Sequence, residues 1–272
     1  MRPRRGAPGG RPAPAATGRT RGPLSLARAL SKFGVCSRKE AVLRIESGRV
    51  AVNGRIVRWP QRRIDPRRDR VSVDGSRVGD DTERIVLALH KPVGFITSRG
   101  DPGGRATIYD LLGGLDLWVF PVGRLDRDTS GLLILTNDHR LGQLLSDPEQ
   151  GVAKTYHALV DGVPAGGALQ ALREGVPLPG GARSRPAGVR VLGASRAGTW
   201  LEIVLREGKN RQVRRMCAAV GHDVLALARV AIGGLALGGL PAGEWRRLEK
   251  EEVPRLQTPR GTISHRPGIG RV

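Results

Sequence analysis

Pro121-Val122-Gly123-Arg124-Leu125-Asp126-Arg127-Asp128-Thr129-Ser130-Gly131-Leu132-Leu133-Ile134-Leu135-Thr136-Asn137-Asp138 joins a charged, turn-prone loop directly to an apolar run of buried-strand character. Functional side chains are commonly mounted this way, on a loop held by a rigid strand. Asp126 lies between Arg124-Leu125 and Arg127, among cations that favour its ionised form, the form a nucleophile or base requires. On its own the pattern also fits an ordinary loop salt bridge, which contributes little.

Outward from this stretch, the chain from Arg84 to about Pro254 alternates apolar strands and helices, as an α+β domain does. Strands are expected over 85–89, 132–136, 155–160, 200–205 and 224–230. Helices are expected over 108–112, 140–146, 168–174 and 211–220. At about 100° per residue, Val213, Met216, Cys217 and Val220 form one apolar stripe, while Arg211 and Arg215 point nearly opposite. Arg214 stands on the flank, where a side chain can bury its stem and project its guanidinium into a cleft. Tyr156 alternates with Ala158 and Val160 on one strand face, so core packing is the plain reading of that ring.

Before this region, residues 24–78 form a separate small unit. Ser25 precedes an apolar pattern at Leu26, Leu30 and Phe33, and Ser37-Arg38-Lys39-Glu40 has the form of a capping box for a second helix. Short strands around Asn53-Gly54 and at Val71 and Val73 follow. Arg28, Lys32, Arg38, Lys39, Arg44, Arg49 and Arg55 lie on or beside these elements, against few acids. The segment resembles the S-four-like RNA-binding domain, in which the second helix and the turn after it contact structured RNA. Residues 79–83 read as a polar hinge, 1–22 as a disordered basic arm and 255–272 as a disordered tail.

The net charge of +21 includes six Arg in the first 22 residues, leaving about +15 for the rest. A body this basic repels itself unless a polyanion neutralises it, and RNA, DNA or an anionic membrane would serve. No apolar run approaches the ~20 residues of a membrane span, and the start lacks a secretory core. Cys36 and Cys217 are far apart, without metal-ligand spacing, and read as buried thiols of a reducing compartment, so a cytoplasmic location is expected. His90 and His157 sit in no motif that demands a titrating imidazole. Gly233-Gly234 and Gly238-Gly239 lack a nucleotide-loop context and read as hairpin turns.

The string Gly-Arg-Leu-Asp-x-Asp-Thr-Ser-Gly-Leu-Leu-x-Leu-Thr-Asn-Asp resembles the catalytic motif of pseudouridine synthases of the RsuA/RluB class. Three further stretches agree in the expected order: His90-Lys91-Pro92-Val93-Gly94, Lys154-Thr155-Tyr156 and Glu207-Gly208-Lys209-Asn210-Arg211-Gln212-Val213-Arg214-Arg215-Met216. His139 departs from the Gly often found after Asn-Asp, and a tolerated capping change is expected there. The resemblance covers about residues 24 to 250. It implies a mixed, mainly antiparallel sheet with flanking helices around a central cleft. It further implies isomerisation of a uridine in ribosomal RNA to pseudouridine, with large-subunit RNA favoured, and with no cofactor or metal. Asp126 is then the catalytic carboxylate and Tyr156 the ring that stacks on the target uracil. Arg214 is expected to pair with Asp126, and Arg38, Lys39, Arg124, Arg211 and Arg215 to contact RNA. The structured RNA would offer its uridine in an accessible loop to a monomeric enzyme. A non-catalytic RNA-binding or ribosome-assembly factor, or an enzyme acting on another RNA, remains the alternative.

Overall fold

The computed structural model describes residues 23–258, apart from 67, 80–82 and 116. The arm over 1–22 and the chain from 259 onward lie outside the described residues. Helix α1 (Leu26–Lys32) follows Ser25, which holds the cap position but makes no side-chain cap bond. Helix α2 (Arg38–Glu46) is capped by Ser37, whose hydroxyl accepts from Glu40 N at 3.2 Å. Glu40 completes only half of the expected box, because its carboxylate turns to Arg44 instead. Four short antiparallel strands follow, in the order Arg55–Ile56, Val50–Val52, Val71–Val73, Ser76–Val78. Asn53 and Gly54 have φ of 53° and 79°, the positive values that a tight two-residue hairpin turn demands. Leu26, Leu30, Ile45, Val50 and Val71 close a core among residues 24–78.

The larger part is one nine-stranded sheet. In chain order its elements are β1 (Val86–Lys91), β2 (Phe120–Val122), β3 (Ser130–Thr136), α3 (His139–Ser146), β4 (Lys154–Val160), α4 (Gly166–Glu174), β5 (Gly188–Ser195), β6 (Gly198–Leu205), α5 (Gln212–Ala218), β7 (Val224–Ile232), β8 (Leu235–Ala236) and β9 (Trp245–Arg247). The strand order is β5-β6-β4-β7-β3-β1-β9, with β8 on β7 and β2 on β3. Every pairing is antiparallel except β7 with β3, which run parallel at Ala228–Ser130 and Arg229–Gly131. The sheet is mixed and mainly antiparallel, in an α+β arrangement. Strand β3 is buried on both faces: Leu132 and Ile134 enter one core, Leu133 and Leu135 another.

Several details depart from the sequence reading. Residues 108–111 form a 3₁₀ turn rather than an α-helix. Helix α5 starts at Gln212, because Arg211 adopts the left-handed conformation, φ 49°. Packing also continues past Pro254: Leu256 is fully buried and Gly234 N donates to Arg255 O at 2.7 Å, so residues 255–258 belong to the packed domain rather than to the expected tail. His139 does more than tolerate a capping change. Asp138 caps α3, while the His139 ring stacks on Phe120 and its Nε2 donates to Ser31 O at 2.7 Å, tying α3 to α1. No helix among the described residues is long and apolar enough to cross a membrane.

The parallel junction of β3 and β7 depends on Gly131. Its φ is +108°, and a Cβ there would collide with the Arg229 carbonyl and come within 2.6 Å of Arg229 N. Neither obstacle is the movable end of a side chain. Gly131→Ala is therefore expected to cost about 3 kcal/mol or more, by conformational strain and overpacking together. The measurement is the midpoint of urea unfolding; a midpoint equal to the parent's would show that the strands separate at little cost.

Candidate active site

The loop between β2 and β3 is fastened on three sides. Leu125 is buried in the core; its N–H donates to Thr97 Oγ1 at 3.2 Å, and that hydroxyl donates to Leu125 O at 2.8 Å. Thr129 N donates to Asp126 O at 3.1 Å, closing a turn over Asp126–Thr129, and Gly94 N donates to Arg127 O at 2.8 Å. Beneath the turn lies Lys91, wholly buried at the end of β1, with Nζ donating to Thr129 O at 2.7 Å and Pro92 O at 2.9 Å. Burial pulls its ammonium down to about 8, against the opposing attraction of Asp126 and Asp128. The Lys91-Pro92-Val93-Gly94 stretch is thus the bed of the Asp126 loop. Sequence reasoning noted the motif and missed this role; the signal was a lone Lys closing an otherwise apolar strand.

Helix α5 supplies the opposite wall. Arg211 makes a two-pronged contact with Asp128, at 3.0 Å to Oδ1 and 2.9 Å to Oδ2. Its Nη1 stands 3.9 Å from Asp126 Oδ2. Arg214, in the first turn of α5, donates to Asp128 O at 2.8 Å and Val224 O at 2.7 Å. Its Nε lies 3.2 Å from Asp128 Oδ2, angled so that the charges pair without a hydrogen bond. Burial pushes the Asp128 carboxyl up, but the Arg211 hydrogen bonds and the charges of Arg214 and Arg211 outweigh it and leave it below its ordinary value.

The expected Arg214–Asp126 pair is therefore not formed. The Asp126–Thr129 turn presents Asp128 to α5 and leaves Asp126 on the other side. Arg211, at the N-cap of α5, and Arg214, within the helix, both reach Asp128, the first through its carboxylate and the second through its carbonyl. Of the two, Arg211 is the one near Asp126.

Asp126 and Tyr156 line the same cleft, a cavity of about 310 Å³ whose walls also include Arg124, Lys154, Arg211 and Arg229. The Asp126 side chain is 35% exposed. Tyr156, on β4, is half-buried and packs against two of the cores. Arg214 stands behind the wall and is not part of the lining. Arg124 is an exposed member of the rim; Arg215 donates to Asn210 Oδ1 at 2.8 Å and is not among the lining residues. Arg38 and Lys39 are exposed on α2. Among the described residues no group of His, Cys, Asp and Glu is arranged to hold a metal ion. Both cysteines are buried free thiols, pushed up by burial to about 11 for Cys36 and about 12 for Cys217.

A carboxylate on a pinned loop over a cleft that holds an aromatic ring, in a strongly basic chain, is the arrangement of an enzyme that works on a nucleic-acid base. Comparison with known proteins names the class. Residues 85–219 match the family described as RNA pseudouridylate synthase. An uncharacterised RNA pseudouridine synthase of Aquifex aeolicus (strain VF5) is 40% identical over 228 residues, covering 84% of this chain and 91% of the relative. Ribosomal large subunit pseudouridine synthase B of Bacillus subtilis (strain 168) is 36% identical over 233 residues, covering 85% and 95%. A crystal structure described as pseudouridylate synthase superimposes with a TM-score of 0.60 at 28% identity, covering 86% of this chain and 99% of the other. The chain belongs to the RNA pseudouridine synthase family, whose members isomerise uridine in RNA to pseudouridine.

Proposed function

We propose that this chain isomerises a specific uridine of ribosomal RNA, in the large subunit before the small, with Asp126 as the catalytic carboxylate. The reading is carried by one observation: Asp126 and Tyr156 line a single cleft, with Asp126 on a loop pinned from below by Lys91 and from the side by α5. The Bacillus subtilis relative, matched over 95% of its length and named for the large subunit, supports the choice of RNA. A uridine flipped out of its helix loses stacking worth about 1–3 kcal/mol and regains it on the Tyr156 ring. Asp126 then meets the nucleotide as nucleophile or base; the N1–C1′ bond breaks, the uracil turns, and C5 bonds to C1′. Arg214 and Arg211 orient the loop through Asp128. Arg124 and Arg211 at the cleft, together with Arg215, would meet phosphates, which supply most of the affinity. The enzyme is proposed to act as a cytoplasmic monomer without metal or cofactor.

Incubating ribosomal RNA with the purified protein and mapping pseudouridine chemically tests this. Product is expected at a uridine of large-subunit RNA. No product on any ribosomal RNA would favour the binding-factor reading or another RNA.

Residues 24–78 are proposed to be the RNA-anchoring unit, with Arg38 and Lys39 on its exposed face. Replacing both by Gln is expected to weaken RNA binding and lower the salt slope of log K by about 2, one for each lost phosphate contact. The rate at saturating RNA should stay the same. An unchanged slope, measured by titration at several salt concentrations, would remove these residues from the interface.

A further inference from the structure

Among the described residues, two cations at the cleft have no acidic partner. Lys154 and Arg229 both line it, and each finds only backbone carbonyls. Lys154 Nζ donates to Val152 O at 3.3 Å, and Arg229 Nε to Leu132 O at 2.8 Å. Arg229 is 2% exposed, and its Nη2 has neither solvent nor an acceptor. Burial, reinforced by repulsion from Arg229, holds Lys154 below the usual lysine range. Buried charges are ordinarily paired, because an uncompensated one costs several kcal/mol. Two like charges side by side compound that cost. A negatively charged or electron-rich group of the substrate would satisfy both.

Its identity follows from where the two sit. Arg229 is the cross-strand partner of Tyr156 in the β4–β7 register, and Lys154 lies two residues before Tyr156 on β4. Directly paired residues point to the same face of a sheet. A base stacked on Tyr156 therefore turns an edge toward these two side chains. A uridine in RNA offers charged phosphate oxygens and the electron-rich carbonyl oxygens of its uracil. Phosphates suit the exposed cations of the rim, such as Arg124; a half-buried ammonium backed by a buried guanidinium suits the edge of a planar base.

We propose that Lys154, backed by Arg229, binds an oxygen-bearing edge of the flipped uracil and takes up the negative charge that the ring gains during the reaction. When N1–C1′ breaks, its electron pair stays with the uracil, spread over N1, O2 and O4, while C1′ is left electron-poor beside the Asp126 carboxylate. After the ring turns, C5 bonds to C1′, C5 gives up its proton and N1 takes one, so no atom is gained or lost. Should Asp126 instead add to the ring at C6, the electron pair is displaced onto O4, and the same cations receive it. Lys154 is then a catalytic residue that touches substrate, and Arg229 a positioning residue that acts through it and through its field.

This inference rests on the reading of Asp126 given above. The test is Lys154→Met, assayed in single turnover on a ribosomal RNA fragment carrying uridine or 5-fluorouridine at the target, with the RNA Kd measured in parallel. Fluorine at C5 withdraws electrons and stabilises the charged ring, so cleavage of its glycosidic bond needs the cation less; because that C5 has no proton to give up, loss of the N1–C1′ bond is the step followed on both substrates. The expected loss is about 10²-fold on uridine, the size seen when one charge-stabilising donor is removed, and about 10-fold or less on 5-fluorouridine. The Kd should change by no more than about twofold. Arg229→Lys, which keeps the charge and drops the Leu132 bond, should give a smaller loss with the same substrate dependence. Equal losses on both substrates would reduce Lys154 to a structural role and overturn the proposal. A weakened Kd with an intact rate would overturn it in favour of a phosphate contact. If Asp126→Asn keeps the parent rate, the underlying reading fails; if that variant is inactive and Lys154→Met is unimpaired, this inference alone fails.

Discussion

Asp126→Asn is expected to lower pseudouridine formation by roughly 10³-fold or more, the scale of loss when a catalytic carboxylate is removed. The substitution preserves size and takes away only the charge. Structurally little should follow, because Asp126 makes one long ion pair, 3.9 Å to Arg211, while the loop is held by Thr129 N, Gly94 N, Thr97 and Lys91 through other atoms. The RNA Kd should therefore stay within about twofold, since the affinity comes from phosphate contacts. Circular dichroism melting should overlay the parent's. A variant with near-parental rate in single turnover would take Asp126 out of the chemistry.

Much of this arrangement was legible in the sequence because it rests on local pattern. The apolar run Leu132–Leu135 announced a strand buried on both faces, and the stripe Val213, Met216 and Cys217 announced the inner face of α5. Motif order placed Asp126 and Tyr156 as site residues, and they share one cleft. What the sequence hid depends on chain geometry. Arg214's partner could not be read, because it follows from how the Asp126–Thr129 turn aims two carboxylates and from the left-handed Arg211 that delays the helix by a residue. Strand β5 was missed because it lies at the sheet edge, mostly exposed, and so lacks a buried pattern. The Lys154–Arg229 pair joins residues far apart in sequence through a register with a bulge between Thr155 and Tyr156, which no local spacing encodes.

Arg214→Lys is expected to lower kcat by about 10²-fold while leaving KM for RNA within about threefold. The charge survives this change; the fork does not. Arg214 uses one terminal nitrogen on Asp128 O and the other on Val224 O, so it spans the Asp126 loop and the first residue of β7. An ammonium is a single point of attachment and cannot hold both carbonyls at the guanidinium's spacing. One half-buried carbonyl then loses its donor, at a cost of about 1 kcal/mol, and the melting temperature should fall by a few degrees. Without that span, Asp128 keeps Arg211 but the turn can shift relative to the cleft, and a displacement of about 1 Å at the reacting group is enough for a loss of this size. Since Arg214 stands behind the wall and not in the lining, it has no RNA contact to lose, which is why KM should hold. If Arg214 acted only through its field on Asp126, Lys would restore most of the rate that Met removes. Comparing Lys and Met at this position in single turnover decides between the two: similar deep losses in both mean that the guanidinium works by geometry, through Asp128, and that the carboxylate two residues upstream is placed by it rather than paired with it.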